Sequence, residues 1–178
     1  MLTTVLTPLR LGLWALIMLP GLLAAAPPLT LTLDTAWQSL DSSTLALRSK
    51  AYLVVDERGW VVAQREADQP RPIASITKVM TAMTLLDAAV SLDTDVTITK
   101  ADRDLLKLTG SRLEYGATLS RGELLDLALM ASENRAAAAL ARTFPGGTER
   151  FVAKMNEKAQ ALGMTDSHFV EPTGLSAE

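Results

Sequence analysis

A chain of 178 residues, 48% of them hydrophobic and 21% charged, carries enough apolar material for one folded domain or a large part of one. Its formal net charge of −3, with the arginines scattered along the chain, excludes the basic stripe that binds nucleic-acid phosphates. The absence of cysteine and the single histidine, His168, exclude disulfides, thiol nucleophiles and multi-histidine metal sites, so we expect no cofactor.

The first 26 residues have the layout of a secretory signal peptide. Arg10 is the one charged residue of an N-terminal decapeptide, and an apolar run of thirteen follows from Leu11 to Leu23. The small residues Ala24–Ala26 come next, although the exact cleavage site stays open. The apolar run is shorter than the roughly 20 residues that span a bilayer, so we predict a periplasmic or secreted protein. Residues 27–50 form a polar lead-in.

Two short strands are predicted after the lead-in, at Ala51–Asp56 and Trp60–Gln64. The turn between them ends in Gly59, which can adopt the positive φ that such turns often need. The connection is too short for a crossover helix, so the pair is predicted to be an antiparallel hairpin.

Beyond Pro72 the apolar residues recur at helical spacing. The first predicted helix begins near Ser75 and is apolar enough to be buried. Its apolar face contains Val79, Met80, Met83, Leu86 and Ala89. The further predicted helices are a short one from Thr99 to Leu106, one opened by a Ser120–Glu123 capping box, an alanine-rich one from Arg135 to Arg142, and one opened by Thr148 and closed by Gly163.

The strongest chemical feature is Ser75-Ile76-Thr77-Lys78. A serine and a lysine three residues apart on a helix share one face, and the positive end of the helix dipole disfavours an ammonium there. A neutral lysine in this position can accept the serine proton, which would make Ser75 a nucleophile. The motif by itself is weak, since a helix cap followed by a solvated lysine would give the same pattern, but a lysine near the start of an apolar helix needs a partner or a role.

A second polar motif, Ser132-Glu133-Asn134, lies on the predicted turn between two helices. Its hydroxyl and carboxamide could both point into a cleft, although the motif taken alone is better explained as a plain Ser/Asn helix cap. His168 lies near a predicted helix end and is interpreted as a surface or capping residue, which leaves a Ser-His-Asp triad open.

The two motifs together resemble the penicillin-interacting serine enzymes. Within that group, the sequence from Ala51 to Leu175 looks like the D-alanyl-D-alanine endopeptidases of the penicillin-binding protein 7 type. The segments that carry the resemblance are Pro72–Lys78, Ser132–Ala137, Pro145–Gly147, Met155–Asn156, Leu162–Met164 and Phe169–Leu175.

The resemblance implies a role for each motif residue. Ser75 would be the acylated nucleophile and Lys78 its general base. Ser132 would relay the proton toward the leaving group, and Asn134 would bind the substrate's amide and orient Lys78. The implied partners are peptidoglycan peptides and β-lactam antibiotics, with peripheral wall or membrane association allowed and nucleic acid excluded.

The resemblance also implies an α/β (α+β) fold of the serine β-lactamase and DD-peptidase type, an antiparallel sheet flanked by helices. The family's third motif, Lys-Thr-Gly, does not occur in the sequence. Leu108-Thr109-Gly110 and Pro172-Thr173-Gly174 lack the lysine and are interpreted as turns. We therefore expect residues 51–178 to be the N-terminal part of a catalytic domain, inactive as it stands.

Two other functions remain open at this point. A class A β-lactamase shares the same motif logic, and Glu171 could stand where such enzymes activate water, although the Thr173-Gly174-Leu175 that follows does not fit. A non-catalytic wall-binding relative is the other alternative, which the missing third motif favours and the intact Ser75, Lys78, Ser132 and Asn134 oppose.

Overall fold

A computed structural model describes residue 41 and residues 46–176. The described residues form two compact units, one that ends at Ala67 and one that begins at Asp68. The predicted signal peptide and most of the lead-in lie outside the described residues. None of the described helices is long and apolar enough to cross a membrane.

The first unit contains the predicted hairpin. Strand β1 (Tyr52–Val55) pairs antiparallel with strand β2 (Val61–Arg65); β1 is two residues shorter than predicted, and β2 has the predicted length but lies one residue later. The turn is closed by Asp56, whose Oδ1 accepts the N–H groups of two turn residues at 2.8 and 2.9 Å. Gly59 has a φ of 83°, so the positive φ expected of it is confirmed. The exposed apolar side chains of the hairpin are Leu53, Val54, Val55, Trp60 and Val61.

The second unit is built from four α-helices around one apolar core. They are α1 (Thr77–Asp87), α2 (Arg121–Met130), α3 (Asn134–Arg142) and α4 (Gly147–Ala161). The fully buried apolar side chains include Leu85, Leu124, Leu140, Phe151 and Met155. Helix α3 reaches the core mainly through alanines, and small side chains allow its neighbours to approach closely.

Local sequence signals account for the helix ends. The Ser120–Glu123 capping box is present as predicted, with each side chain bonded to the other residue's backbone N–H. Helix α4 begins one residue before the predicted Thr148, because Gly146 precedes it with a φ of 92°. Gly163 follows the C-terminus of α4 with a φ of 75°, which confirms it as the stop.

The predicted buried face of α1 is confirmed only in part, because Met80 is 5% exposed and belongs to the core but other residues of that face do not. Val79 and Leu86 are 51% and 54% exposed, whereas Lys78 and Thr81 are buried. The Thr81 hydroxyl donates to the Pro172 carbonyl at 2.7 Å, so this polar face is satisfied inside the fold. A count of apolar positions cannot detect a buried face whose polar groups find partners far away in the sequence.

The predicted helix from Thr99 to Leu106 is also shorter than expected. Only a 3-10 turn at Lys100–Asp102 forms, and the Thr99–Asp102 capping box lies at its N-terminus. The chain then leaves the helix because the carboxylate of Asp104 accepts the N–H groups of Leu106 and the next residue, which holds them in a loop.

A second two-stranded sheet was not predicted from the sequence. Strands β3 (Asp95–Thr97) and β4 (Thr118–Ser120) pair antiparallel, with Val96 opposite Leu119. Each strand has three residues, too few to show an alternating pattern. The fold is therefore mixed helix and antiparallel sheet, as predicted.

Candidate active site

Ser75 and Lys78 lie together at the start of α1. Ser75 is exposed in a 3-10 turn (Ala74–Ile76) that leads into the helix, and the Lys78 side chain is 2% exposed. The Lys78 ammonium nitrogen donates to Ser75 Oγ at 3.2 Å and to the Thr173 carbonyl at 2.7 Å. The predicted alternative of a solvated lysine is wrong, because this lysine is buried and bonded at both sides.

The surroundings of Lys78 change its affinity for a proton. Desolvation by burial lowers its pKa, and the negative charges of Glu171 and Glu133 oppose that effect. The net result is a pKa below the ordinary value for lysine. A lysine so placed reaches its neutral, proton-accepting form at a lower pH than a surface lysine does.

The Thr173 carbonyl that contacts Lys78 belongs to a loop organised by Glu171. One carboxylate oxygen of Glu171 accepts from the backbone N–H and the hydroxyl of Thr173. The other accepts from the N–H groups of Leu175, at 2.7 Å, and Ser176. Because both oxygens are engaged by the loop itself, Glu171 acts as a loop organiser in this geometry.

Gly174 lets this loop lie directly against the turn that contains Ser75. Its φ is 79°, and a Cβ placed on it would stand 1.8 Å from the Ala74 carbonyl oxygen. Ala74 itself has a φ of 48°, a conformation that side-chain-bearing residues rarely adopt. Strained backbone of this kind is often found at functional sites, and here it immediately precedes Ser75.

The second motif occupies the turn between α2 and α3. Ser132 is exposed with a φ of 54°, and the side chain of Glu133 caps α3 by accepting the Arg135 N–H at 3.1 Å. Asn134 is the first residue of α3, and its Nδ2 donates to the Thr109 hydroxyl at 2.9 Å. The interpretation of this motif as a plain Ser/Asn cap is therefore wrong, because neither Ser132 nor Asn134 caps α3.

The two motifs are linked indirectly, because Asn134 is the one residue of the four that lines a cavity shared with a partner of Lys78, and Ser75, Lys78 and Ser132 do not line that cavity. Asn134 and Thr173 line the same cavity, of about 380 Å³, and Thr173 is the partner of Lys78. Glu133 is close enough to raise the pKa of Lys78 by its charge. Within residues 46–176, no hydrogen bond joins Ser132 to Ser75 or Lys78.

Sequence reasoning missed Thr109 and Thr173, which it placed in turns without a role. Neither could have been found by periodicity, because each acts through one contact with a residue distant in the chain. His168 is exposed and lines a separate cavity of about 360 Å³. Among the described residues, no group of three or more histidines or carboxylates is placed to hold a metal ion.

Residues 38–178 match the D-alanyl-D-alanine carboxypeptidase family. The D-alanyl-D-alanine endopeptidases of Pseudomonas aeruginosa and Escherichia coli are 49% and 45% identical to this chain over 131 residues. Each match covers 73% of this chain and 42% of the relative, so the chain spans less than half the length of these curated relatives.

A similarity to solved structures agrees with the sequence match. The D-alanyl-D-alanine carboxypeptidase DacD from Francisella tularensis superposes with a TM-score of 0.65 at 30% identity, covering 78% of this chain and 35% of that one. A penicillin-binding protein homolog from Mycobacterium tuberculosis superposes with a TM-score of 0.63 at 34% identity, covering 72% of this chain and 48% of that one.

Proposed function

The chain belongs to the D-alanyl-D-alanine carboxypeptidase family, and from that premise we propose that it supplies the nucleophile and general base of a serine peptidase that cleaves D-alanyl peptide bonds of peptidoglycan. The observation that carries the proposal is the buried Lys78, which contacts Ser75 Oγ at 3.2 Å and is held by the Thr173 carbonyl. This arrangement suits proton transfer between the two side chains.

The proposed reaction has two stages. Ser75 Oγ attacks the carbonyl carbon of the D-alanyl bond while neutral Lys78 takes the hydroxyl proton. The C–N bond then breaks, the amine leaves with a proton relayed through Ser132, and an acyl ester remains on Ser75. Water hydrolyses that ester, which releases the acid and restores the serine. Asn134 binds the amide of the substrate during both stages.

Within the family we propose an endopeptidase. The two relatives named above as endopeptidases are 45–49% identical to this chain, whereas relatives named as carboxypeptidases are 30–35% identical. Penicillins are expected to acylate Ser75 because they offer a strained amide to the same nucleophile. The class A β-lactamase alternative loses support, because it needs a glutamate that activates water, and both carboxylate oxygens of Glu171 accept hydrogen bonds from its own loop.

We also propose that the protein acts in the periplasm, on the basis of the signal-like sequence of residues 1–26. Cell fractionation tests this: the protein should be released with the periplasmic contents, and recovery from the cytoplasm would contradict the proposal.

The function is tested on the full-length protein that carries this sequence. Incubation with cross-linked peptidoglycan peptides should release shorter peptides, detected by liquid chromatography with mass spectrometry. Ser75→Ala should abolish the products, and so should Lys78→Arg, since a guanidinium does not give up its proton at a usable pH. The exposed Ser91→Ala is the matched control and should retain wild-type activity. Product formation by Ser75→Ala would contradict the proposed nucleophile.

A further inference from the structure

The loop that follows the 3-10 turn at Lys100–Asp102 is built around the carboxylate of Asp104. Asp104 is 8% exposed, and its Oδ1 accepts the N–H groups of Leu106 and Lys107 at 2.8 and 2.9 Å. Its Oδ2 accepts both the N–H and the hydroxyl of Thr109, at 2.8 and 2.7 Å. Four hydrogen bonds thus converge on one carboxylate.

Apolar packing contributes little to holding this loop. Leu105, Leu106 and Leu108 are 74%, 64% and 66% exposed. Burial acts to raise the pKa of Asp104, but the hydrogen bonds from Lys107, Thr109 and Leu106 outweigh it and hold the pKa well below its usual range. Asp104 therefore stays ionised at neutral pH and accepts all four bonds.

The charge on Asp104 fixes the direction of the next hydrogen bond. An ionised carboxylate only accepts, so the Thr109 hydroxyl must donate its proton to Asp104. The oxygen of Thr109 is then left to accept from Asn134, and it does so from Nδ2 at 2.9 Å. This sequence of donors and acceptors decides which end of the Asn134 carboxamide points toward Thr109.

The two ends of that carboxamide have different surroundings. The bond between Nδ2 and Thr109 lies in an exposed region, whereas Oδ1 of Asn134 is buried with no hydrogen-bond partner among the described residues. Asn134 lines the cavity that also contains Thr173, the partner of Lys78. Nδ2 has a second N–H that Thr109 does not use, and this hydrogen is available to a carbonyl oxygen.

We propose that Asp104 and Thr109 are positioning residues that lock the Asn134 carboxamide so that its second Nδ2 hydrogen meets the acylamide carbonyl of the substrate. This inference rests on the proposed function, because it requires an acyl-transfer substrate at Ser75. Neither residue touches the reacting atoms; each acts through Asn134.

The test compares two penicillins in the full-length protein. Benzylpenicillin carries an acylamide carbonyl, and 6-aminopenicillanic acid lacks it. Thr109→Val removes the hydroxyl but keeps the side-chain shape and the backbone bonds to Asp104, so folding is expected to survive. Acylation by benzylpenicillin should slow about 10-fold, while acylation by 6-aminopenicillanic acid should change less than about 2-fold. Thr109→Ser, which restores the hydroxyl, should acylate at the wild-type rate with both compounds.

Asp104→Asn is a second variant for the same comparison of the two penicillins. An asparagine amide nitrogen in place of Oδ2 can donate to the Thr109 hydroxyl but no longer accepts the Thr109 N–H. The hydroxyl is then free to donate to Asn134 and the constraint on the carboxamide is removed, so the same selective slowing is expected. Thr118→Val removes a different exposed threonine hydrogen bond, to Thr97 at 2.8 Å, and should leave both rates unchanged.

An equal loss with both penicillins, or no loss with either, would overturn the positioning role while leaving the proposed function intact. A wild-type protein that neither penicillin acylates would contradict the proposed function and this inference together, so the two failures are distinguishable.

Discussion

At the scale of single residues, the proposed chemistry depends on a lysine that is buried, whereas lysines are ordinarily exposed. Lys78 is 2% exposed, and burial lowers its pKa. Glu171 and Glu133 limit that decrease, because each negative charge stabilises the ammonium form. The balance between burial and these two carboxylates sets the pH at which Lys78 becomes able to accept a proton.

The effect of Glu133 on this balance leads to a pH-dependent prediction. Glu133→Gln removes a charge that raises the pKa of Lys78, so that pKa should fall further. Because acylation needs neutral Lys78, its rate rises with pH through this pKa, and the rising limb should move to lower pH. The glutamine keeps a carbonyl oxygen that can accept the Arg135 N–H, so the cap of α3 is preserved. The measurement is the pH profile of acylation by a fluorescent penicillin.

The matched control for that profile is Glu149→Gln. Glu149 is exposed in the first turn of α4 and is not among the groups that shift the pKa of Lys78. Its profile should coincide with that of the wild type. A rising limb that stays in place in Glu133→Gln, or moves to higher pH, would show that Glu133 does not act on Lys78 through its charge.

At the scale of elements, the site is assembled by two loops that pack against helix starts. The loop organised by Glu171 supplies the carbonyl partner of Lys78, and the loop organised by Asp104 supplies the hydroxyl partner of Asn134. In both loops one carboxylate accepts hydrogen bonds from several backbone N–H groups, which would otherwise be bonded within a helix or sheet. Each loop is therefore held in place by hydrogen bonds to its own carboxylate.

Gly174 provides a test of how closely the first loop must pack. Gly174→Ala would place a methyl group 1.8 Å from the Ala74 carbonyl oxygen, so the loop must move away from the turn that contains Ser75. We expect a loss of more than about 2 kcal/mol in unfolding free energy together with slower acylation, since strain and overpacking each cost about 1–3 kcal/mol. Urea denaturation and penicillin labelling measure the two effects.

Gly116→Ala separates the clash from the cost of a positive φ. Gly116 has a φ of 92°, and nothing lies within 4 Å of the added Cβ. The Gly116→Ala variant should therefore lose about 1 kcal/mol in unfolding free energy and keep the wild-type acylation rate. Equal losses of stability in the two variants would mean that close packing of the Gly174 loop is unimportant.

The sequence predicts the elements that depend on neighbouring residues. The hairpin at Tyr52–Val55 and Val61–Arg65, the Ser120–Glu123 capping box and the stop at Gly163 are all found as predicted, because turn and cap chemistry acts within four residues. The three-residue spacing of Ser75 and Lys78 also predicted their contact, because residues three apart lie one helical turn from each other.

The features of the fold and of the candidate site that the sequence did not predict depend on contacts between residues far apart in the chain. Lys78 and Thr173 are 95 residues apart, and Asn134 and Thr109 are 25 apart. The same reason explains why the predicted face of α1 is only partly buried, since burial of Lys78 and Thr81 requires carbonyl partners from the Glu171 loop. No local pattern carries that information.

At the scale of the whole molecule, the proposed acylation site is built on α1 and the turn before α3. The family match covers residues 38–178, and the chain spans 42% of the length of its two endopeptidase relatives. The central claim is that Ser75 is the residue that becomes acylated and that Ser132 assists by moving a proton.

The most direct measurement is a time course of benzylpenicillin adduct formation in the full-length protein, with the adduct located by peptide mass spectrometry. We predict one adduct, on the peptide that contains Ser75, and none in Ser75→Ala. Ser132→Ala should form the same adduct about 10²- to 10⁴-fold more slowly but to completion, because proton relay contributes about that much to the rate. An adduct on any other residue, or continued labelling of Ser75→Ala, would contradict the account.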